Sequence, residues 1–167
     1  MDEQAKKTAL RMIPYGLYVL TSESQDGRVA ASTINWVTQA SFEPPLITVG
    51  VKVGSTAHDV IKESRAFALN VLAKDQDALA FTFFKPLERD GNSIGGQAFS
   101  PGKSGAPVFT ASASFLECSL VDSLERGDHS VFLGEVIEAG VSREFSGRPD
   151  AVTLALADLG ERTFYGG

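Results

Sequence analysis

Turn and proline signals cut the chain between Gly16 and Val141 into a series of β-rich runs, and this punctuation limits the fold more than any other feature. Residues 16–22 (GLYVLTS) are the first run, and Asp26-Gly27 turns the chain into the next. Residues 29–41 (VAASTINWVTQAS) read as one long strand, β-branched yet unusually polar for a core position. Pro44-Pro45 stops it, and residues 46–51 (LITVGV) have the near-continuous apolar character of a buried strand. Residues 67–72 (FALNVL) form another strand, and two long ones follow at about 112–125 and 130–141, joined by Arg126-Gly127-Asp128-His129.

Helices are few and short. Residues 3–13 predict one, with Ala5, Ala9, Leu10, Met12 and Ile13 on one side and Pro14 as its end. Gly54-Ser55-Thr56 opens a second, in which Thr56 and Asp59 fit a capping box. An acid begins a third over residues 75–84. Residues 85–107, rich in Gly, Ser and Pro, read as a long loop, either a lid or a segment disordered in the free protein, and short strands or turns are expected at 152–158 and 162–165. At least six strands with short helices between them predict a closed or nearly closed barrel, mainly β. The regular βα alternation of a dinucleotide-binding sheet is missing, and Gly95-Gly96 lacks the strand–helix context of its glycine fingerprint.

The 167 residues suit one domain spanning 1–167, and a net charge of −6 supplies no basic field for nucleic acid. An anionic ligand must therefore be held by a local site. Cys118, the one cysteine, cannot form an internal disulfide and sits in an apolar alternating run, which predicts a small buried core residue. No apolar run reaches the ~18–20 residues of a membrane span, and the first residues lack the apolar stretch of a signal peptide. The expectation is a cytoplasmic protein with no membrane partner.

Three places could carry chemistry. Thr33, Asn35, Trp36, Thr38 and Gln39 gather polar groups just before the Pro-Pro corner. Such a strand serves equally as a solvated face or as a row of amides and hydroxyls meeting the edge of a planar heterocycle. The segment Lys52-Val53-Gly54-Ser55-Thr56-Ala57-His58 joins a cation, a flexible glycine and two hydroxyls at a helix start. It is a ready anion site, although simple N-capping accounts for Ser and Thr there as well. His129, after Gly127-Asp128, fits either a turn residue bonded to Asp128 or a donor near a reduced cofactor.

Taken in order, residues 32–45 (STINWVTQASFEPP), LITVGV, GSTAHDVIKES and FALNVL resemble the flavin reductase-like domain family. Further marks are Gly105-Ala106-Pro107-Val108, Phe115-Leu116-Glu117-Cys118, and Gly127-Asp128-His129 with Gly134-Glu135-Val136. The resemblance runs from about Leu10 to Val141. WVTQASFEPP and the ending Thr163-Phe164-Tyr165-Gly166-Gly167 look most like flavoredoxin and like the modules attached to flavodiiron proteins and high-molecular-weight rubredoxins.

The resemblance implies an FMN-binding split β-barrel of Greek-key type, a homodimer with non-covalent FMN near the subunit interface. Members pass electrons from NADH or NADPH to flavin, or from bound FMN to a protein acceptor. Carried over by position, Thr33, Ile34, Asn35 and Trp36 would lie along the isoalloxazine, with Thr38 and Gln39 near its edge or the ribityl chain. Lys52, Gly54, Ser55 and Thr56 would hold the phosphate, and His129 would be the catalytic group beside flavin or nicotinamide. The chain departs from many free-standing members at Val53, where they carry Arg, and at Trp36, where they carry Ser. The expected activity is NAD(P)H:flavin oxidoreduction. The alternatives are a flavoredoxin-like carrier with no direct nicotinamide reaction, or a split barrel binding haem or a deazaflavin.

Overall fold

The computed structural model describes residues 1–166; Gly167, the last residue of the ending quoted above, lies outside them. In chain order the elements are α1 (Glu3–Arg11), β1 (Tyr18–Glu23), β2 (Val29–Ile34), β3 (Val37–Ser41), β4 (Leu46–Lys52), α2 (Thr56–Ser64), β5 (Ala66–Val71) and α3 (Asp77–Thr82). They continue as β6 (Arg89–Asp90), β7 (Ser93–Ile94), β8 (Gln97–Pro101), β9 (Pro107–Phe109), β10 (Ser114–Glu125), β11 (His129–Val141), α4 (Pro149–Val152) and a 3₁₀ turn (Leu156–Leu159).

Seven strands form one antiparallel sheet in the order β2-β1-β5-β10-β11-β4-β3. β2 and β3 thus lie at opposite edges, yet only Asn35 and Trp36 separate them in sequence. Six inter-strand steps would place those edges about 29 Å apart in a flat sheet. The three peptide units from Ile34 to Val37 reach only about 11 Å. The sheet must therefore roll until its edges meet, and Asn35–Trp36 is the seam. Gly50 N–H of β4 donates to Trp36 O at 2.8 Å, extending the β3–β4 ladder into the seam. A Cβ at Gly50 would lie 3.0 Å from the indole, so the close approach of this ring needs a glycine there.

This closure corrects the single strand expected over residues 29–41. Its halves pair with different partners, β2 with β1 and β3 with β4. The residues between must turn out of β geometry, which local composition does not reveal.

Strand alternation divides the apolar residues of β1 between two cores. Leu20 points into the barrel with Val49, Phe67, Leu69, Cys118 and Phe132, and α2 closes that core with Ala57, Val60 and Ile61. Cys118 is fully buried as expected, and burial, reinforced by the neighbouring Glu117 charge, pushes its thiol up to about 12. Leu17 and Val19 face the other way and pack with Phe83, Phe99, Phe109 and Leu154. That second core is roofed by α3 and a four-stranded sheet, β6-β7-β8-β9. The long loop expected over residues 85–107 thus holds three small strands and leads into a fourth, with turns at Gly91 and Gly95-Gly96, all at positive φ.

Three helix details differ from expectation. α1 ends at Arg11 rather than Ile13 and buries no residue. Ser55, not Thr56, caps α2, its Oγ accepting from His58 N at 3.2 Å. Asp75 does not start α3; its carboxylate pairs with Arg143 at 2.8 Å and the helix begins at Asp77. No helix among the described residues is long and apolar enough to cross a membrane.

Candidate functional site

Register brings distant residues to the seam. β11 pairs with β4 so that His129 stands opposite Lys52, and Val53 N–H donates to Asp128 O at 2.9 Å. The Gly-Asp-His turn is thereby fixed at the end of β4, where the chain passes through Gly54 (φ +74°) into the cap of α2. The end of β2 arrives from the opposite edge. Between them lies a cavity of about 610 Å³. Its walls are apolar along Leu17, Ile34, Val51, Phe83 and Phe84, and its polar groups converge from Asn35, Lys52, Ser55 and His129.

Of the residues singled out in the sequence, Thr33, Ile34, Asn35, Lys52, Ser55 and His129 line this cavity together. Thr33 does so with its hydroxyl already committed, since Oγ1 donates to Ala80 O at 2.7 Å and pins α3 to the barrel. Trp36 stands behind the lining, its indole 4.5 Å from the His129 ring, with a buried Nε1–H that has no partner among the described residues. Gly54 and Thr56 flank the cavity without lining it, and Thr56 is exposed as the first residue of α2. Thr38 and Gln39 lie outside it on β3, where Thr38 Oγ1 bonds Gln39 O at 3.2 Å and Gln39 Nε2 bonds Ser41 O at 3.3 Å. His58, the other histidine, is buried away from the cavity with Nε2 3.0 Å from Ser130 Oγ, fastening α2 to β11.

Two contributors were not anticipated as lining. Phe83, Phe84, Lys85 and Pro86 come from the end of α3, and Thr163, Phe164 and Tyr165 come from the C-terminal tail. Among the described residues, neither Lys52 nor Lys85 forms a salt bridge, and both line the cavity. The likeness of the chain's ending to family members was the one sequence signal that pointed toward the tail.

His129 joins the two halves of the site. Its Nδ1 lies 3.0 Å from Asp128 Oδ1 and its Nε2 lies 2.7 Å from the Tyr165 hydroxyl. In the neutral ring the carboxylate takes the Nδ1–H, which leaves Nε2 as an acceptor for the phenol O–H. The hydrogen bond from His129, helped by its charge, holds the Asp128 carboxyl below its ordinary range. Burial, and then the Asp128 charge, raise the Tyr165 phenol. Asn35, only 4% exposed, donates through Nδ2 to Tyr165 O at 3.1 Å.

A rolled antiparallel sheet with an amphipathic cavity at its seam, lined by cation, amide and imidazole, defines a β-barrel domain with a candidate ligand site. The chain belongs to the family described as the flavin reductase like domain, whose model matches residues 10–158. It is 33% identical over 154 residues to a ferric-chelate reductase (NAD(P)H) of Archaeoglobus fulgidus, covering 90% of this chain and 86% of that protein. It is 30% identical to the high molecular weight rubredoxin of Moorella thermoacetica, covering 80% of this chain and 58% of that one. Among solved structures, the NADH:FAD oxidoreductase SgcE6 of Streptomyces globisporus superposes with a TM-score of 0.70 at 29% identity, over 83% of this chain and 76% of that one. The chain spans about half the length of several curated relatives it matches, 42% of one and 57% of another.

Proposed function

We propose that this domain binds FMN non-covalently in the seam cavity and is an NAD(P)H:flavin oxidoreductase, delivering electrons to free flavin or to a protein acceptor. The observation that carries this reading is the convergence of Asn35, Lys52, Ser55 and His129 on one cavity in a chain of the flavin reductase like family. The residues present fit the cofactor. At about 610 Å³ the cavity falls within the range typical of small-molecule sites. Apolar walls suit the faces of a tricyclic ring, and the start of α2 with Lys52 suits a single phosphate.

Bound FMN would supply two-electron acceptance from a nicotinamide and release of those electrons onward. The chain's part is placement and field. Ile34 and Asn35 would lie along the ring, with Thr33 supporting them through α3. Lys52, Ser55 and the α2 backbone, reached through Gly54 and beside Thr56, would hold the phosphate. Trp36 would back the His129 side of the site, while Thr38 and Gln39, outside the cavity, would reach a ligand only by its rim. His129, with a proton held on Nδ1 by Asp128, would orient the nicotinamide or balance negative charge on the reduced ring. No acid–base dyad is required, because hydride transfer itself moves no proton.

The same reading takes residues 1–167 as one domain, since β1 contributes to both cores. It also takes the barrel as a split barrel that pairs with a second copy. Exposed Leu124 and Val131 face each other across β10 and β11 as apolar surface for that pairing. A similarity to rubredoxin-linked modules and the tail across the cavity favour a second reading, a carrier that takes electrons from a protein alone. Titration of FMN into the purified apoprotein, followed by anaerobic addition of NADH and then NADPH, separates the two. Rapid bleaching of the visible flavin band marks the oxidoreductase, and bound flavin that stays oxidised marks the carrier.

A further inference from the structure

The tail Thr163–Gly166 holds groups that a flavin site needs for its ligands. Tyr165 engages Asn35 through its backbone carbonyl at 3.1 Å and His129 Nε2 through its hydroxyl at 2.7 Å. Its ring lies 5.5 Å from Trp36, and Gly166 passes so close that a Cβ there would be 3.4 Å from the indole Nε1. Beside it, the Arg11 guanidinium caps the Phe164 ring at 4.3 Å, linking α1 to the tail.

These attachments are few. The bonds made by Thr163 run back to Leu159 and Gly160 within the same segment, so they shape the tail without tying it to the barrel. Gly160, at φ +106°, is a natural pivot before it. Tyr165 is 48% exposed, so its ring is reached from solvent while its hydroxyl covers His129 Nε2. Lys52 and the tail line the same cavity, and no hydrogen bond or salt bridge joins them among the described residues. A ligand arriving from solvent to meet His129 encounters the phenol first.

We propose that Tyr165 is an access-determining residue for the nicotinamide. Docked, it occupies His129 Nε2 and the Asn35 amide; a dinucleotide reaches His129 only as the phenol leaves. This rests on the oxidoreductase reading given above. It also assigns Trp36 a role, as the platform on which the tail docks, and explains why a bulky indole stands at the seam without lining the cavity.

Trp36 is the only tryptophan, so its emission reports the tail directly and without flavin. In the apoprotein, acrylamide quenching of Trp36 is expected to rise from wild type to Tyr165→Phe and further to Tyr165→Ala, which also removes the ring. In the FMN-loaded protein, Tyr165→Phe is expected to lower KM for the effective nicotinamide about three- to tenfold, the worth of one hydrogen bond. A tyrosine that merely supported the fold would instead raise KM, weaken FMN binding and lower Tm together. Unchanged or raised KM in Tyr165→Phe overturns the proposal. If wild type fails to bind FMN, or binds it without reacting with NADH or NADPH, the functional reading fails. Equal Trp36 quenching in all three proteins then overturns the docking role as well.

Discussion

The cation and hydroxyl of the cavity come from one stretch, residues 52–56 at the junction of β4 and α2, whereas the aromatic cluster beside it is assembled from three. Asn35–Trp36, His129 and Tyr165 are contributed by the seam, the start of β11 and the tail, with Asn35 bonding a residue 130 positions away. A local site can be inherited as a block and depends on backbone geometry that α2 enforces. An assembled site depends on closure of the whole sheet and can be altered at one segment without disturbing the others.

The sharpest way to break this comparison is at the local part. Lys52→Ala is expected to weaken FMN binding about ten- to a hundredfold, the range of one charge-assisted hydrogen bond, and to reduce its salt dependence. Trp36 emission should not change. If the loss in a fluorescence titration is under about threefold, the phosphate is not held there.

In the assembled part, His129→Ala is expected to slow anaerobic flavin reduction about tenfold while weakening FMN binding much less, as loss of one donor near the reacting groups predicts. Equal effects on both quantities would make His129 a binding residue only. Asn35→Ala removes one hydrogen bond to the tail and leaves the Tyr165 carbonyl without that donor. Its expected cost is about 1 kcal/mol, read as a fall in Tm together with greater Trp36 quenching. A fall in Tm without increased quenching would place the loss inside the barrel.

What the sequence made legible follows the same division. Residues 52–58 could be read as a helix-start anion site because every part of that signal lies within one turn of chain. The β-rich runs and the Pro44-Pro45 corner were legible for a similar reason. The break at Asn35–Trp36 was not, since it is imposed by two edges that must meet rather than by local propensity. Thr33 shows the same limit: its hydroxyl looked available until packing brought Ala80 O within 2.7 Å. The strands hidden in residues 85–107 are two to five residues long, too short for alternation to register, although Asp90-Gly91 and Gly95-Gly96 carried the turn chemistry. No spacing rule could have placed Tyr165 against His129.

The smallest expected effect is one of pH. Burial and the Asp128 charge raise the Tyr165 phenol above 10.0, so the docked state favours the protonated form. The phenol's bond to His129 is therefore lost as pH rises through the raised value. Trp36 quenching in the apoprotein should stay constant past the ordinary tyrosine range and then increase. An increase at or below the ordinary value would show that the phenol is not buried against His129. Asp128 behaves oppositely: its carboxyl is held low by His129, so that contact persists at mildly acid pH and is lost as pH falls through the lowered value.

The central claim is that the seam cavity holds a flavin that a nicotinamide can reduce. The most direct measurement is the visible spectrum of the FMN-loaded protein under anaerobic conditions, before and after NADH or NADPH. The account predicts a bound flavin spectrum that bleaches with at least one of the two. A protein that takes up no FMN, or whose bound flavin stays oxidised with both, would contradict it.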